Sequence, residues 1–407
     1  MVSTRRIAEY KSTATCNCLL SGGISGGWGQ FDVVVGCYEL SEGSDSSSSH
    51  QHQHQHQNGE SNIHVGSLTG LMCERRGANQ NDTNFVLRER TDGAFKLPSA
   101  SSLPGIFDLT YSNNNNCLMA SCTDGALWVL ELRDAAVHEC VFPVFDTMLT
   151  SCSPFNSETG DQNKWFCTAH KGDVALYDAG MKRIIRRLDG HEYDAWCSAT
   201  TGAETGVSGG DDGLLRWHDV RMGGKSTVAK MQFDAGVVSI SPISTCGTSA
   251  TTYSLVGSYD EHLYLVDLRS AKRPLSSVHL GGGVWRCSRQ LLEEKLTPEA
   301  KKAMNYYRWV QECNALAIPV MQNGVALVRY DITSNAEGNF TLLGHLHSSA
   351  GSAASDEELP NNALFYDCAV LPGNICSDAV TGDVIGRTIA ACDFYNRTVS
   401  LWNINDV

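Results

Sequence analysis

The stretch from Gly190 to Arg221, GHEYDAWCSATTGAETGVSGGDDGLLRWHDVR, constrains the fold more than any other part of the chain. A Gly-His pair leads into an apolar segment with a Trp, a second short apolar segment follows, then an Asp-Gly turn, and a third strand closes on His-Asp. Short apolar runs of about four to eight residues bounded by such turns read as strands. A unit of this size cannot bury its apolar faces alone, so it needs neighbours of its own kind.

Those neighbours are legible along the chain. Asp124-Gly125 precedes ALWVLEL, Lys171-Gly172 precedes DVALYD, Asp212-Gly213 precedes LLRWHD, Asp260 precedes EHLYLVD, Gly324 precedes VALVRYD and Asn396 precedes RTVSLWN. With an N-terminal unit containing FDVVVGCYEL, this makes seven blades. A period of about 40 residues closing on a Trp-Asp-like pair is the mark of WD repeats. The expectation is an all-β, seven-bladed WD-repeat β-propeller, one domain over 1–407, whose ring removes long exposed sheet edges. The segment from Arg5 to Tyr10 is the candidate strand for completing the last blade. The 38 Gly and 10 Pro suit many short strands joined by tight turns.

Three insertions interrupt the pattern. Residues 41–62 form a low-complexity Ser run followed by HQHQHQHQ, too polar to bury and expected as a disordered surface loop without a built metal site. Residues 291–310, LLEEKLTPEAKKAMNYYRWV, carry Thr297-Pro298 as N-cap and first turn, with Ala303, Met304, Tyr307 and Val310 at helical spacing, so a short inserted helix is expected. Residues 347–362 read as a mobile loop.

The net charge of −14 argues against a nucleic-acid partner, since phosphate binding needs basic surface. An apolar run of about 18 residues is nowhere found, and the start MVSTRRIAEY lacks a signal-peptide core, so no membrane association is expected and the location is read as cytoplasmic. The 16 Cys are spread through strand-like segments and are expected as small buried hydrophobes. Cys16 and Cys18 form a C-x-C with no second pair, which is weak grounds for a metal. No P-loop, H-E-x-x-H or paired C-x-x-C occurs, so neither cofactor nor metal is predicted. A monomer is expected.

G-x-S-x-G occurs twice, around Ser25 and around Ser208. A nucleophile elbow needs a strained turn from strand into helix; no helix follows Ser25, and Ser208 falls inside a predicted strand. Better candidates emerge from equivalent slots in different blades, which converge on one mouth. The slot before each turn residue holds Thr123, His170, Asp211, Tyr259, Asn323 and Tyr395, and the start of the first strand holds Asp194 and Trp196, Trp285, and Tyr366 or Asp367. His191 and Asp212 read as a structural pair within the blade, with Ser208 in the same internal network, and Asp260 as a turn-former. Asp194, Asp211, Trp196 and Trp285 have no such duty.

GHEYDAW (190–196), SGGDDGLLR (208–216), GSYDEHLYLVDLR (257–269), GGVWR (282–286) and FYNRTVSLW (394–402), with a weaker echo at YDCAV (366–370), resemble the WD-repeat diphthine methyl ester hydrolases of diphthamide biosynthesis, called diphthine methyltransferase in older naming. The resemblance is concentrated in the fourth to sixth units; RWHD at 216–219 departs from the family's Trp-Asp. It implies hydrolysis of the methyl ester on diphthine-modified elongation factor 2, releasing methanol. It carries over Glu192, Ala195, Trp196, Asp211, Asp212, Tyr259, Asp260, Glu261, His262, Trp285 and Arg286 by motif.

The substrate's trimethylammonium group suits a cage of Trp196, Trp285, Tyr259 and Tyr395, with Glu192, Glu261, Tyr366 and Asp367 as further substrate contacts. Asp211 or Asp194, or else His170 or His262, is the candidate general base, and Arg286 the candidate oxyanion donor. The alternative is a non-catalytic scaffold, because WD-repeat propellers commonly bind proteins and fold alone does not fix chemistry. A nucleotide-dependent methyltransferase lacks the Gly-rich strand-to-helix loop it would need.

Overall fold

The computed structural model describes residues 3–12, 16–21, 31–41, 63–75, 85–90, 103–112, 117–133, 136–155, 163–222, 225–243, 253–287, 315–332, 338–346, 363–371 and 387–405. The helix expected over 291–310, the loop over 347–362, Ser25 and all of the His-rich insertion beyond Ser41 lie outside these residues.

Seven antiparallel sheets follow one another around a ring. The first strand, β1 (Ser3–Lys11), belongs to the last blade. Blade 1 holds β2 (Cys16–Ser21), β3 (Val33–Ser41), β4 (Ile63–Arg75) and β5 (Phe85–Glu89), with the short β6 (Leu103–Pro104) against β4. Blade 2 holds β7 (Ile106–Ser112), β8 (Cys117–Cys122), β9 (Ala126–Arg133) and β10 (Ala136–Pro143). Blade 3 holds β11 (Leu149–Pro154), β12 (Lys164–Ala169), β13 (Val174–Asp178) and β14 (Arg183–Arg187). Blade 4 holds β15 (Ala195–Thr200), β16 (Thr205–Gly210), β17 (Leu214–Asp219) and β18 (Thr227–Gln232). Blade 5 holds β19 (Val237–Ile243), β20 (Tyr253–Ser258), β21 (His262–Asp267) and β22 (Ser276–His279). Blade 6 holds β23 (Ala315–Pro319), β24 (Val325–Ile332) and β25 (Gly338–Leu346) among the described residues. Blade 7 holds β26 (Phe365–Val370), β27 (Arg387–Asp393) and β28 (Thr398–Asn405).

The ring is closed by the N-terminal strand. β1 pairs antiparallel with β28 from Ser3 opposite Asn405 to Lys11 opposite Thr398, so the two ends of the chain share blade 7. This covers backbone donors and acceptors that an edge strand would leave open.

Apolar clusters sit between blades rather than within them. One joins Val33, Val35 and Leu71 of blade 1 to Ala390, Cys392 and Leu401 of blade 7, and another joins Cys197 and Leu215 of blade 4 to Ile240 and Val256 of blade 5. Blades 3 and 4 add hydroxyl stitching: Thr150 donates to the Ala195 carbonyl at 2.6 Å, Ser153 to the Ser198 carbonyl at 2.9 Å, and Ser198 to Ser151 Oγ at 3.1 Å. Small side chains let the inner strands approach closely, and each of these three hydroxyls has a partner.

The described cysteines are free thiols, and nine of them, among them Cys122, Cys197 and Cys368, are buried. Burial pushes the thiols of Cys122 and Cys368 well above their ordinary range, which makes them packing groups rather than nucleophiles.

The turns between second and third strands of blades 2, 4 and 5 share one device. Asp124, Asp212 and Asp260 each accept the backbone N–H two residues on, from Ala126, Leu214 and His262 at 3.0, 3.1 and 3.0 Å. Their second oxygens take a side chain four residues on: Trp128 at 3.2 Å, Arg216 at 3.2 Å and Tyr264 at 2.8 Å. The residue after Asp is left-handed, with Gly125 at φ 82° and Gly213 at φ 70°; Glu261 adopts φ 68° without being glycine. In blade 6 the corresponding pair is Asn323-Gly324, Gly324 having φ 75°. Asn323 is therefore the turn residue itself, bonded through Nδ2 to the Leu280 carbonyl at 2.9 Å, and the slot before the turn belongs to Gln322.

Candidate functional site

One irregularity, repeated blade after blade, builds the site. In β7, β11, β15, β19 and β26 the ladder skips the second residue: pairing jumps from Ile106 to Asp108, Leu149 to Ser151, Ala195 to Cys197, Val237 to Ser239 and Phe365 to Asp367. A bulge of this kind adds an unpaired residue and re-aims its side chain. The skipped residues are Phe107, Thr150, Trp196, Val238 and Tyr366. Phe107 and Val238 form a buried cluster with Trp285, against which Trp196, Tyr259, Tyr366, Met148 and Met321 pack. Seven residues from six blades thus meet at the mouth of the channel alongside Met321 of blade 6.

Trp285 is the hub, 6% exposed. Its ring centroid lies 5.1 Å from Tyr366, 5.4 Å from Trp196, 5.7 Å from Tyr259 and 6.0 Å from Phe107. Phe107 stacks on Trp196 at 5.8 Å. Tyr395, 63% exposed, stands a step further out, touching Phe394, which in turn meets Tyr366 and Tyr38. Phe107 was not among the residues singled out from the sequence. Aligning GIFDL with DAWCS, GVWRC and LFYDC at the start of each inner strand puts Phe107 in register with Trp196, Trp285 and Tyr366, so the signal was present in the slots.

Acidic groups line one side of this cluster. Trp196 donates its indole N–H to Asp211 Oδ1 at 2.6 Å, and the Asp211 backbone N–H bonds the Asp194 carbonyl at 2.8 Å. Asp194 accepts the Lys171 N–H at 2.8 Å, and its Oδ1 lies 2.9 Å from His170 Nδ1. The Asp211 carboxyl is raised from its ordinary range, chiefly because the surrounding walls desolvate it, with Asp194 and Asp212 adding like-charge repulsion; the Trp196 bond and nearby His170 act the other way. Gly236 makes this approach feasible: a Cβ there would come within 2.7 Å of Asp211 Oδ1 and 3.1 Å of the Tyr259 ring. Burial first, then the Asp211 charge, drives the Tyr259 phenol far above its ordinary range, so its hydroxyl keeps its proton; burial does the same for Tyr366.

Immediately behind this site lies an arrangement with the form of a catalytic triad. His191 Nδ1 is 2.8 Å from Asp212 Oδ1, and its Nε2 is 2.8 Å from Ser208 Oγ. Ser208 and the His191 side chain have no solvent exposure, so no substrate carbonyl can reach Oγ. The chain continues instead from Ser208 Oγ to His218 Nε2 at 2.8 Å and from His218 Nδ1 to Ser226 Oγ at 3.3 Å. Burial opposes ionisation of Asp212, but the His191 bond and the Glu192 and Leu214 N–H groups outweigh it and hold the carboxyl well below its ordinary range. The bonds of His191, Ser208 and Asp212 tie the loop before β15 to the turn before β17. His218, standing where a Trp-Asp ending would have Trp, extends that network.

Three residues named from the sequence point elsewhere. His262 Nδ1 donates to the Asp260 carbonyl at 2.7 Å, and its ring stacks on Tyr264 and meets His279 across the β21–β22 ladder. Glu261 lies 2.9 Å from His279 Nε2. These form a cluster on blade 5 without a contact to Asp211 or Trp285 among those described. Arg286 turns into the channel: its guanidinium bonds Asp108 and the Phe107 carbonyl, the latter at 2.6 Å, and its Nε lies 3.9 Å from Asp367. Asp367 is thus directed at Arg286 and 8% exposed. Glu192 is exposed at the rim and its backbone N–H bonds Asp212 at 3.2 Å.

No protein-family model matches the chain. A human protein named diphthine methyltransferase is 41% identical over 98 residues, 24% of this chain and 21% of the relative. The protein of that name from Schizosaccharomyces pombe is 32% identical over 118 residues, 28% of this chain and 35% of the relative. A diphthine methyltransferase homolog from Dictyostelium discoideum is 28% identical over 204 residues, 45% of this chain and 54% of the relative. The chain spans between a fifth and about half the length of the curated relatives it matches. Among solved structures, a chain of the mitotic checkpoint complex aligns with TM-score 0.56 at 11% identity, covering 100% of this chain and 94% of the other. The WD40 propeller domain of Doa1 aligns with TM-score 0.55 at 8% identity, covering 99% and 97%. At such identities the structural likeness establishes the fold alone: the chain is a seven-bladed propeller of WD40 type whose sequence relatives carry the name diphthine methyltransferase.

Proposed function

We propose that this chain acts in diphthamide biosynthesis, in the cytoplasm, as the hydrolase that removes the methyl ester from diphthine on elongation factor 2. The observation that carries the reading is the junction of Trp196 with Asp211: a carboxylate open to solvent on one side and hydrogen-bonded at 2.6 Å to the edge of an aromatic cluster, beside the His170–Asp194 pair. The relatives' name supports the pathway.

A trimethylammonium group is attracted to aromatic faces by about 0.5–2 kcal/mol per contact, depending on desolvation. Trp196, Tyr259 and Tyr366 are the partly buried rings that offer faces around the Trp285 hub. Asp211 supplies the countercharge, and an adjacent cation favours its ionised form, opposing the desolvation that raises it. With the cation so anchored, the ester carbonyl is, in this reading, within reach of His170. His170, whose Nδ1 lies 2.9 Å from Asp194 Oδ1, takes a proton from water as the oxygen attacks the carbonyl carbon. The oxyanion of the tetrahedral intermediate accepts from the Tyr259 hydroxyl, which stays protonated. Collapse expels the methoxy oxygen, to which His170 returns its proton, leaving methanol and a carboxylic acid that loses its own proton to solvent. In this reading Arg286 takes no oxyanion role, its guanidinium being bonded to Asp108 and Phe107.

The test is to incubate purified protein with methylated diphthine on elongation factor 2 and weigh the modified peptide. Loss of the mass of one methylene, abolished by His170→Gln and strongly reduced by Asp211→Asn, is expected. An unchanged mass with a protein that still binds the factor would refute hydrolysis and favour a scaffold.

A further inference from the structure

In six blades the inner strand is held by its ladder, but the inner segment of blade 6 is not: residues 281–287 carry no strand among the described residues. Trp285, the ring in contact with every aromatic wall of the mouth, sits in that segment. The Val284 N–H bonds the Ser258 carbonyl at 3.0 Å, and Ser239 Oγ donates to the Val284 carbonyl at 3.3 Å.

The next residue supplies an anchor of another kind. Arg286 reaches across the channel to blade 2, bonding the Asp108 carboxylate and, at 2.6 Å, the carbonyl of Phe107, while Asp367 of blade 7 approaches its Nε at 3.9 Å. Asp108 is 4% exposed. Three equivalent positions, each following an aromatic residue of the mouth, thus form an ionic layer beneath the aromatic one. Removing one member of such a buried cluster leaves an uncompensated charge, and the remaining groups must move to find water or a partner.

We propose that Asp108 is a positioning residue of the mouth: by holding Arg286 across the channel it fixes the Trp285 ring. The effect on the substrate rests on the hydrolase reading above; the effect on Trp285 does not. Asp367, at longer range, contributes less.

The experiment compares wild type, Asp108→Asn, Asp367→Asn and Trp285→Phe by near-ultraviolet circular dichroism and by steady-state hydrolysis of methylated diphthine on elongation factor 2. Asp108→Asn is expected to remove the part of the aromatic band that Trp285→Phe removes, with the far-ultraviolet spectrum retained. It should raise KM about tenfold, the scale of losing one cation–π wall, and change kcat by less than about twofold. Asp367→Asn should shift both readouts less. A wild-type aromatic band and KM in Asp108→Asn would overturn the proposal. If the band shifts while wild type itself hydrolyses nothing, positioning is supported and the hydrolase reading falls. Should Asp108→Asn not fold, Arg286→Lys takes its place: the amine keeps the charge but cannot bond both Asp108 and Phe107, and wild-type readouts there overturn the proposal equally.

Discussion

His218 should make this propeller acid-labile by an amount that follows from its surroundings. The side chain has no exposure, and burial, then His191 and Arg216, lower its imidazole from the ordinary 6.5 to about 3. The unfolded chain takes up this proton as pH falls through 6.5, whereas the folded chain resists until about 3. The stability His218 contributes is therefore complete above about 6.5 and is lost progressively below it. At about pH 5 the gap is ~1.5 pH units, each worth ~1.4 kcal/mol, giving a loss of about 2 kcal/mol relative to pH 7.5. His218→Gln removes the titration while leaving an amide able to donate to Ser208. Urea unfolding of both proteins at about pH 7.5 and about pH 5 isolates the term, since other groups titrate alike in each. The stability difference between wild type and variant should shift by about 2 kcal/mol in the variant's favour at the lower pH. The same difference at both pH values would refute the reasoning.

Two further expectations separate structural from functional residues. Ser208→Ala removes the hydroxyl joining His191 to His218 and should cost about 1–3 kcal/mol in denaturant unfolding, while turnover per folded molecule at low temperature stays at the wild-type level; a collapse of turnover in folded protein would revive the triad as chemistry. Gly236→Ala introduces a Cβ about to collide with Asp211 Oδ1 at 2.7 Å, so turnover should fall about tenfold or more with a melting temperature lowered by only a few degrees; unchanged turnover would mean that Asp211 tolerates displacement.

Much of the blade architecture could be read in advance because it is local. Turn residues such as Asp124-Gly125 and Asp212-Gly213 state their own conformation, and the closing role of β1 follows from a lone strand before the first complete blade. The structural reading of Asp260 agrees with its bonds to His262 and Tyr264. The slots for Trp196, Trp285, Tyr259 and Tyr366 do converge. What misled was direction. His262 and Glu261 share a motif with Tyr259, but in this turn they face His279 and not the mouth, and Arg286 beside Trp285 bonds inward. Glu261 sits in a left-handed turn and Arg286 follows Trp285 in a segment without strand, so neighbours in a motif are turned to different surfaces.

The sequence by itself determined the repeat: strand alternation and turn chemistry act over a few residues and need no partner to be recognised. Only the tertiary structure decided which residues share a site. A bulge is a mismatch between two strands, visible only when both are paired, and the contacts it directs span the ring. Asp108 and Arg286 lie 178 positions apart, and Phe107 meets Trp196 and Trp285 only because seven blades close on one axis.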